Sequence, residues 1–181
     1  VLELGRTPTG DAELDRVLGQ GVVPGAVVLL GGEPGIGKST LMLQSVLHMA
    51  AHSQRILYVA GEESPEQVRM RAERLGTVSL SLFVFAETDA QAVLRELEAN
   101  KPDAVIIDSI QTMFLPEVES APGSVAQIRE TAAAFTRFAK QHHVPVFFIG
   151  HITKEGSLAG PKVLEHMVDV VLQFEGERHH A

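Results

Sequence analysis

The sequence contains no cysteine, which excludes disulfides and thiolate metal sites and suits a reducing cytoplasm. It has no apolar run approaching the ~18 residues needed to span a bilayer, and Val1–Leu4 carries no signal-peptide features. Basic residues are outnumbered: 15 Lys and Arg stand against 23 Asp and Glu, a net charge of −8. That balance argues against a surface that clamps nucleic acid as a whole, while leaving room for a locally basic loop. Internal repeats and Gly-, Pro- or Ser-rich linkers are also missing. With 181 residues and an apolar fraction of 45%, the chain reads as one soluble globular domain, residues 1–181, with a large single core. The abrupt stop at Arg178-His179-His180-Ala181 reads as a domain excised from a longer protein.

What is present is alternation. Short unbroken Val/Ile/Leu/Phe runs at Val27–Leu30, Ile56–Ala60, Leu82–Phe85, Ala104–Ile107, Val146–Ile149 and Val170–Phe174 are what strands buried on both faces require. Between them lie helix starts. Ser64-Pro65-Glu66-Gln67 and Ser124-Val125-Ala126-Gln127 each place Ser at the N-cap with Gln three residues on, and Thr88-Asp89-Ala90-Gln91 is a third candidate. The helix from Val125 spaces Ile128, Ala132, Phe135 and Ala139 along one stripe, with Arg129, Glu130, Arg137 and Lys140 off it. The pattern predicts a doubly wound α/β fold, a mostly parallel twisted sheet with helices on both faces. Gln111 to Gly123 and Thr153 to Lys162 fit neither period. They follow strands, on the edge where such sheets carry function.

The segment Gly32-Glu33-Pro34-Gly35-Ile36-Gly37-Lys38-Ser39 follows the first strand and opens a helix, with Thr40 next. Gly-x-x-x-x-Gly-Lys-Ser in that setting is a phosphate-binding loop. Gly35 and Gly37 let successive backbone N–H groups converge on a phosphate, and the helix N-terminus adds positive potential. Lys38 reaches the β- and γ-phosphates, and the Ser39 hydroxyl is placed to ligate Mg²⁺. The expected cofactors are ATP and Mg²⁺.

Three more strand ends carry candidate chemistry. Asp108 ends Val105-Ile106-Ile107-Asp108 and is read as the second Mg²⁺ ligand, where a lone strand-end Asp would be a turn residue. Ala60-Gly61-Glu62-Glu63-Ser64 offers a carboxylate to activate water, or one to favour the next helix's N-terminus. Glu62 is the first choice of base and Glu63 the second. His151 ends Phe148-Ile149-Gly150-His151 and either fills a structural role or senses the γ-phosphate. Lys154 and Lys162 follow, as phosphate contacts or as solvated lysines. His48 and His52 sit four apart on a helix with no acidic partner or zinc signature, and His142-His143 lies at a helix end where His is comfortable, so neither pair is read as a metal site.

These residues, with the lead-in Thr9-Gly10 and Glu13 to Leu18, resemble the ATPase core of the bacterial RadA (Sms) family of recombination and repair proteins. The segments ESAPGSVAQIRE from Glu119 and GHITKEGSLAGPKVLEHMVD from Gly150 carry the likeness most specifically. The resemblance implies a RecA-like P-loop NTPase: a DNA-dependent, helicase-like, ring-forming ATPase acting on single-stranded DNA and branched recombination intermediates in the cytoplasm. It also implies that His151 is the γ-phosphate sensor and that Met113–Gly123 and Thr153–Lys162 hold DNA-contacting loops. It sets Arg71 near a base-contacting position, although an ordinary helix Arg fits as well. The family's zinc finger, Lys-Asn-Arg-Phe-Gly segment and Lon-like domain lie outside this sequence. Two other readings stand beside the motor: a nucleotide-gated assembly module with little turnover, and a clock-type RecA-like ATPase.

Overall fold

The computed structural model describes residues 22–32, 40, 43–44, 55–75, 82–151 and 161–174. The chain order is β1 (Val27–Gly32), β2 (Ile56–Ala60), α1 (Pro65–Leu75), β3 (Leu82–Ala86), α2 (Ala90–Asn100), β4 (Ala104–Asp108), α3 (Val125–His142), β5 (Val146–His151) and β6 (Val170–Phe174). Single 3-10 turns occupy Ile110–Thr112 and Pro161–Val163. The six strands form one parallel sheet in the order β3-β2-β4-β5-β1-β6. All six expected runs are strands. β1, β3, β4 and β5 extend further at their carboxyl ends than their apolar runs alone indicate, to Gly32, Ala86, Asp108 and His151.

Period-two alternation divides each central strand between two cores. Val27, Leu29, Leu57, Val59, Val105, Ile107, Val146 and Phe148 face α2 and α3. Val28, Leu30, Ile56, Tyr58, Ala104, Ile106, Phe147 and Ile149 face α1 and the helical residue Leu43. The sheet is therefore covered on both faces, as a RecA-like fold requires. Along α3 the expected stripe of Ile128, Ala132, Phe135 and Ala139 is fully buried, and Arg129, Glu130, Arg137 and Lys140 are exposed.

Ser64 and Gln67 form a reciprocal capping box: the Gln67 N–H donates to Ser64 Oγ at 3.2 Å, and the Ser64 N–H to Gln67 Oε1 at 2.8 Å. At α2 the cap is Asp89 instead of Thr88, its Oδ1 accepting from the N–H groups of Gln91 and Ala92. At α3 Ser124 caps, but the Gln127 amide turns away from the helix end and into the preceding loop. Asp169 ties the start of β1 to β6, accepting the Val27 N–H at 2.8 Å and pairing with Lys140. Burial pushes its carboxyl up, but Lys140 and the Val27 N–H together outweigh this and hold it below its ordinary value.

Candidate functional site

The carboxyl ends of β2, β4, β5 and β1 stand side by side in that order. Pairing sets Ala60 level with Asp108, Asp108 level with Ile149, and His151 level with Gly32. Asp108 thus ends a strand two places from β1, about 10 Å across the sheet at the usual strand spacing. Ligands of open α/β sheets bind at this edge. Gly32 is buried at the start of the phosphate-loop segment. Glu33, Pro34, Gly35, Ile36, Gly37, Lys38 and Ser39 lie outside the described residues, as does Lys154. Thr40 is helical and exposed.

The half-buried Asp108 carboxylate accepts a short hydrogen bond at Oδ2 from the Tyr58 hydroxyl. Tyr58 is fully buried on the α1 face, two residues before its strand ends. Burial foremost, and then the Asp108 carboxylate, hold its phenol well above the ordinary range, so the proton is present to be donated. Arg71, on α1, donates from Nη2 to the Tyr58 oxygen at 3.3 Å and pairs with Glu63 Oε1 at 2.7 Å. The Glu63 carboxyl sits above its usual value: burial raises it most, Arg71 lowers it, and Asp108 and Glu62 raise it further. Glu62 is exposed and makes no ion pair or side-chain hydrogen bond among the described residues.

Two contacts fix the strand ends against each other. The Gly61 N–H donates to the Asp108 carbonyl at 2.8 Å. The Gln111 amide clasps the backbone of His151, donating to its carbonyl at 2.9 Å and accepting its N–H at 3.2 Å. The segment that follows is an anchored loop with buried Met113 and Leu115. Its exposed positions include Glu117 and Glu119 and no basic residue. Lys162 is exposed in its 3-10 turn. A groove of about 440 Å³ lined by Leu97, Lys101, Phe138 and His142, among others, lies between the carboxyl ends of α2 and α3 and includes none of these residues.

The donor set fits a magnesium ion that arrives with a nucleotide. One oxygen of Asp108 is held by Tyr58, leaving a hard oxygen for a cation, and the neighbouring Ser109 hydroxyl is buried with no partner among the described residues. Among those residues no cluster of three or more His, Asp or Glu forms a resident metal cage. Magnesium typically takes one or two carboxylates, phosphates and waters.

The geometry has a family counterpart: a model described as an AAA domain matches residues 5–157. The chain belongs to this AAA domain family. Proteins named DNA repair protein RadA are similar to nearly all of it. That of Halalkalibacterium halodurans is 56% identical over 175 residues, covering 97% of this chain and 38% of the relative. That of Listeria monocytogenes is 54% identical over 176 residues, 97% of the chain and 38% of the relative. That of Streptococcus pneumoniae is 53% identical over 179 residues, 99% of the chain and 42% of the relative. The RadA likeness expected from the sequence therefore holds, and the chain spans well under half the length of these relatives. An AAA domain is a nucleotide-binding domain, so the expected nucleotide holds at that level. Among the described residues no helix is long and apolar enough to cross a membrane.

Sequence reasoning missed Tyr58 and Gln111, and it set Arg71 near a base-contacting position or as an ordinary helix Arg without anticipating its contacts with Tyr58 and Glu63. The available signal was modest: Tyr58 is the only tyrosine, and it sits in an otherwise aliphatic strand.

Proposed function

We propose that the chain is the ATP-binding and ATP-hydrolysing core, one RecA-like domain of a longer protein, of a DNA-dependent motor that processes recombination intermediates by branch migration. The observation that supports it most is the shared edge, where Asp108, the Glu62–Glu63 pair and His151 gather beside the start of the phosphate-loop segment at Gly32. In this reading Gly32 to Thr40 cradle the phosphates, with Lys38 on the β- and γ-oxygens. Ser39 and Asp108 hold Mg²⁺, which when bound offsets charge on the transferring phosphoryl group. Glu62 orients and deprotonates the attacking water, and its lack of an ion pair among the described residues favours it over Glu63, which Arg71 holds. His151, level with Gly32, reports the γ-phosphate through the backbone that Gln111 clasps.

Single-stranded DNA and branched intermediates are the proposed partners, with rings formed by the longer cytoplasmic protein. The acidic exposed face of the loop before α3 leaves Lys154 and Lys162 as the phosphate contacts, a mode that weakens as salt rises. A second reading, a nucleotide-gated assembly module with little turnover of its own, is favoured by one fact: the chain spans only 38% to 42% of its relatives.

Separate Glu62→Gln and Glu63→Gln variants test the catalytic assignment by ATP turnover and ATP binding. Glu62→Gln is expected to lower turnover about 10²- to 10⁴-fold with binding retained. Glu63→Gln is expected to lose far less. Equal losses would sink the single-base assignment.

A further inference from the structure

We infer that Tyr58 and Arg71 are positioning residues that tie Asp108 to Glu63, so that the magnesium-side carboxylate and the end of β2 are held as one unit. The inference rests on the nucleotide reading above and assigns two residues to it that neither touch phosphate nor belong to its motifs. Tyr58 is buried in a strand whose other residues are Ile, Leu, Val and Ala, so packing there needs no hydroxyl. That hydroxyl nonetheless reaches across from β2 to Asp108 Oδ2 on the neighbouring strand. A donor on one oxygen fixes the carboxylate's rotation and directs the other oxygen, and hydrogen-bond partners of metal-binding carboxylates tune affinity in this way.

Arg71 extends the link. Its Nη2 is shared between the Tyr58 oxygen and Glu63 Oε1. Asp108, Tyr58, Arg71 and Glu63 therefore form a chain of contacts running from β4 through β2 and α1 to the segment after β2. The guanidinium is the cation of this chain, held 2.7 Å from Glu63 Oε1. A shift of the Asp108 carboxylate is transmitted to Glu63, and Glu62 is its neighbour in sequence.

The composition supplies a direct probe. The chain holds one tyrosine and no tryptophan, so its near-ultraviolet emission is that of Tyr58. A phenol hydrogen-bonded to a carboxylate loses emission through excited-state proton transfer. Asp108→Asn is expected to relieve that quenching, and emission equal to that of the wild type would overturn the contact. The functional side is read by ATP binding across a magnesium titration. Tyr58→Phe keeps the ring and removes only the donor. It is expected to raise the Mg²⁺ concentration required about 10- to 100-fold, with little change in binding measured without Mg²⁺.

Equal losses with and without the ion would mark Tyr58 as merely structural and overturn the inference. Arg71→Gln combined with Tyr58→Phe is expected to cost no more than the larger single change, because both act through one chain of contacts. Additive losses would remove Arg71 from it. Failure of the wild type to bind ATP would sink the nucleotide reading and this inference together, and ATP binding that ignores Mg²⁺ would sink the inference alone. A normal wild type with an unaltered Tyr58→Phe titration would sink the inference alone.

Discussion

Gly61→Ala is expected to destabilise the domain by about 2–3 kcal/mol and to displace both glutamates that follow it. An ideal Cβ at Gly61 lies 1.9 Å from Thr112 Oγ1, 2.8 Å from Thr112 Cβ and 3.2 Å from Met113 Cε. Thr112 cannot swing aside freely, because its Oγ1 donates to the Ser109 carbonyl at 2.8 Å and its N–H to the same carbonyl at 3.2 Å. Gly61 is pinned in turn by its N–H bond to the Asp108 carbonyl. Gly61 is not among the positive-φ glycines, so the demand is for space and not for an unusual backbone conformation. The clash is relieved by breaking the Ile110–Thr112 turn or by moving Glu62 and Glu63. Urea unfolding reads the first and ATP turnover the second. Adding Thr112→Ala removes the 1.9 Å contact but keeps the Cβ contact, so partial recovery of the midpoint is expected. No recovery would mean that the glycine is required for some other reason.

Gln127→Ala is expected to cost about 3–5 kcal/mol, an unusually large effect for a side chain with no expected catalytic role. Gln127 is 2% exposed. Its Oε1 accepts the Leu115 N–H at 2.9 Å, and its Nε2 donates to the carbonyls of Leu115, Val118 and Ser120 at 3.2, 3.1 and 2.9 Å. One amide thus satisfies four backbone groups of the loop between β4 and α3. Alanine strands the Leu115 N–H and the Val118 and Ser120 carbonyls and leaves a cavity, while the Leu115 carbonyl keeps the Val118 N–H, and an orphaned group that is buried costs about 1–3 kcal/mol. Amide exchange at Leu115 should accelerate along with the fall in the denaturation midpoint. Gln127→Glu preserves shape and the Leu115 acceptor but faces three carbonyls with a carboxylate. Its stability is therefore expected to recover as pH falls and the carboxyl gains a proton. A mild, pH-independent effect of both variants would show that the loop is held by its apolar anchors Met113 and Leu115 alone.

The sheet was legible because strands buried on both faces have a simple signature, the unbroken aliphatic run, and the α3 stripe was legible from its period. The place of Asp108 and of the glutamates at the sheet edge was legible because Asp108 closes such a run and Glu62 and Glu63 follow one. What escaped depends on how distant segments meet. Whether the Tyr58 hydroxyl finds a carboxylate is set by the register that puts Ala60 level with Asp108, and nothing within Ile56–Ala60 specifies it. Arg71 reads as a surface helix residue until α1 is laid on the sheet and Glu63 comes within 2.7 Å. Gln127 reads as half of a capping box, and does so with reason. Its amide leaves the cap because four backbone groups of the loop offer it more bonds than the single Ser124 N–H. Asp89 displaces Thr88 as the cap of α2 by one residue, and its position is tied to the bridge between Asp89 and Phe114.

Steady-state ATP hydrolysis with Mg²⁺, with and without single-stranded DNA and beside Lys38→Ala, tests the central claim most directly. DNA is expected to raise turnover, and Lys38→Ala to abolish it. Turnover that survives in Lys38→Ala would contradict the assignment of the site. Near-blank turnover in protein that still binds ATP would contradict the motor reading of this core and leave it a nucleotide-gated assembly module.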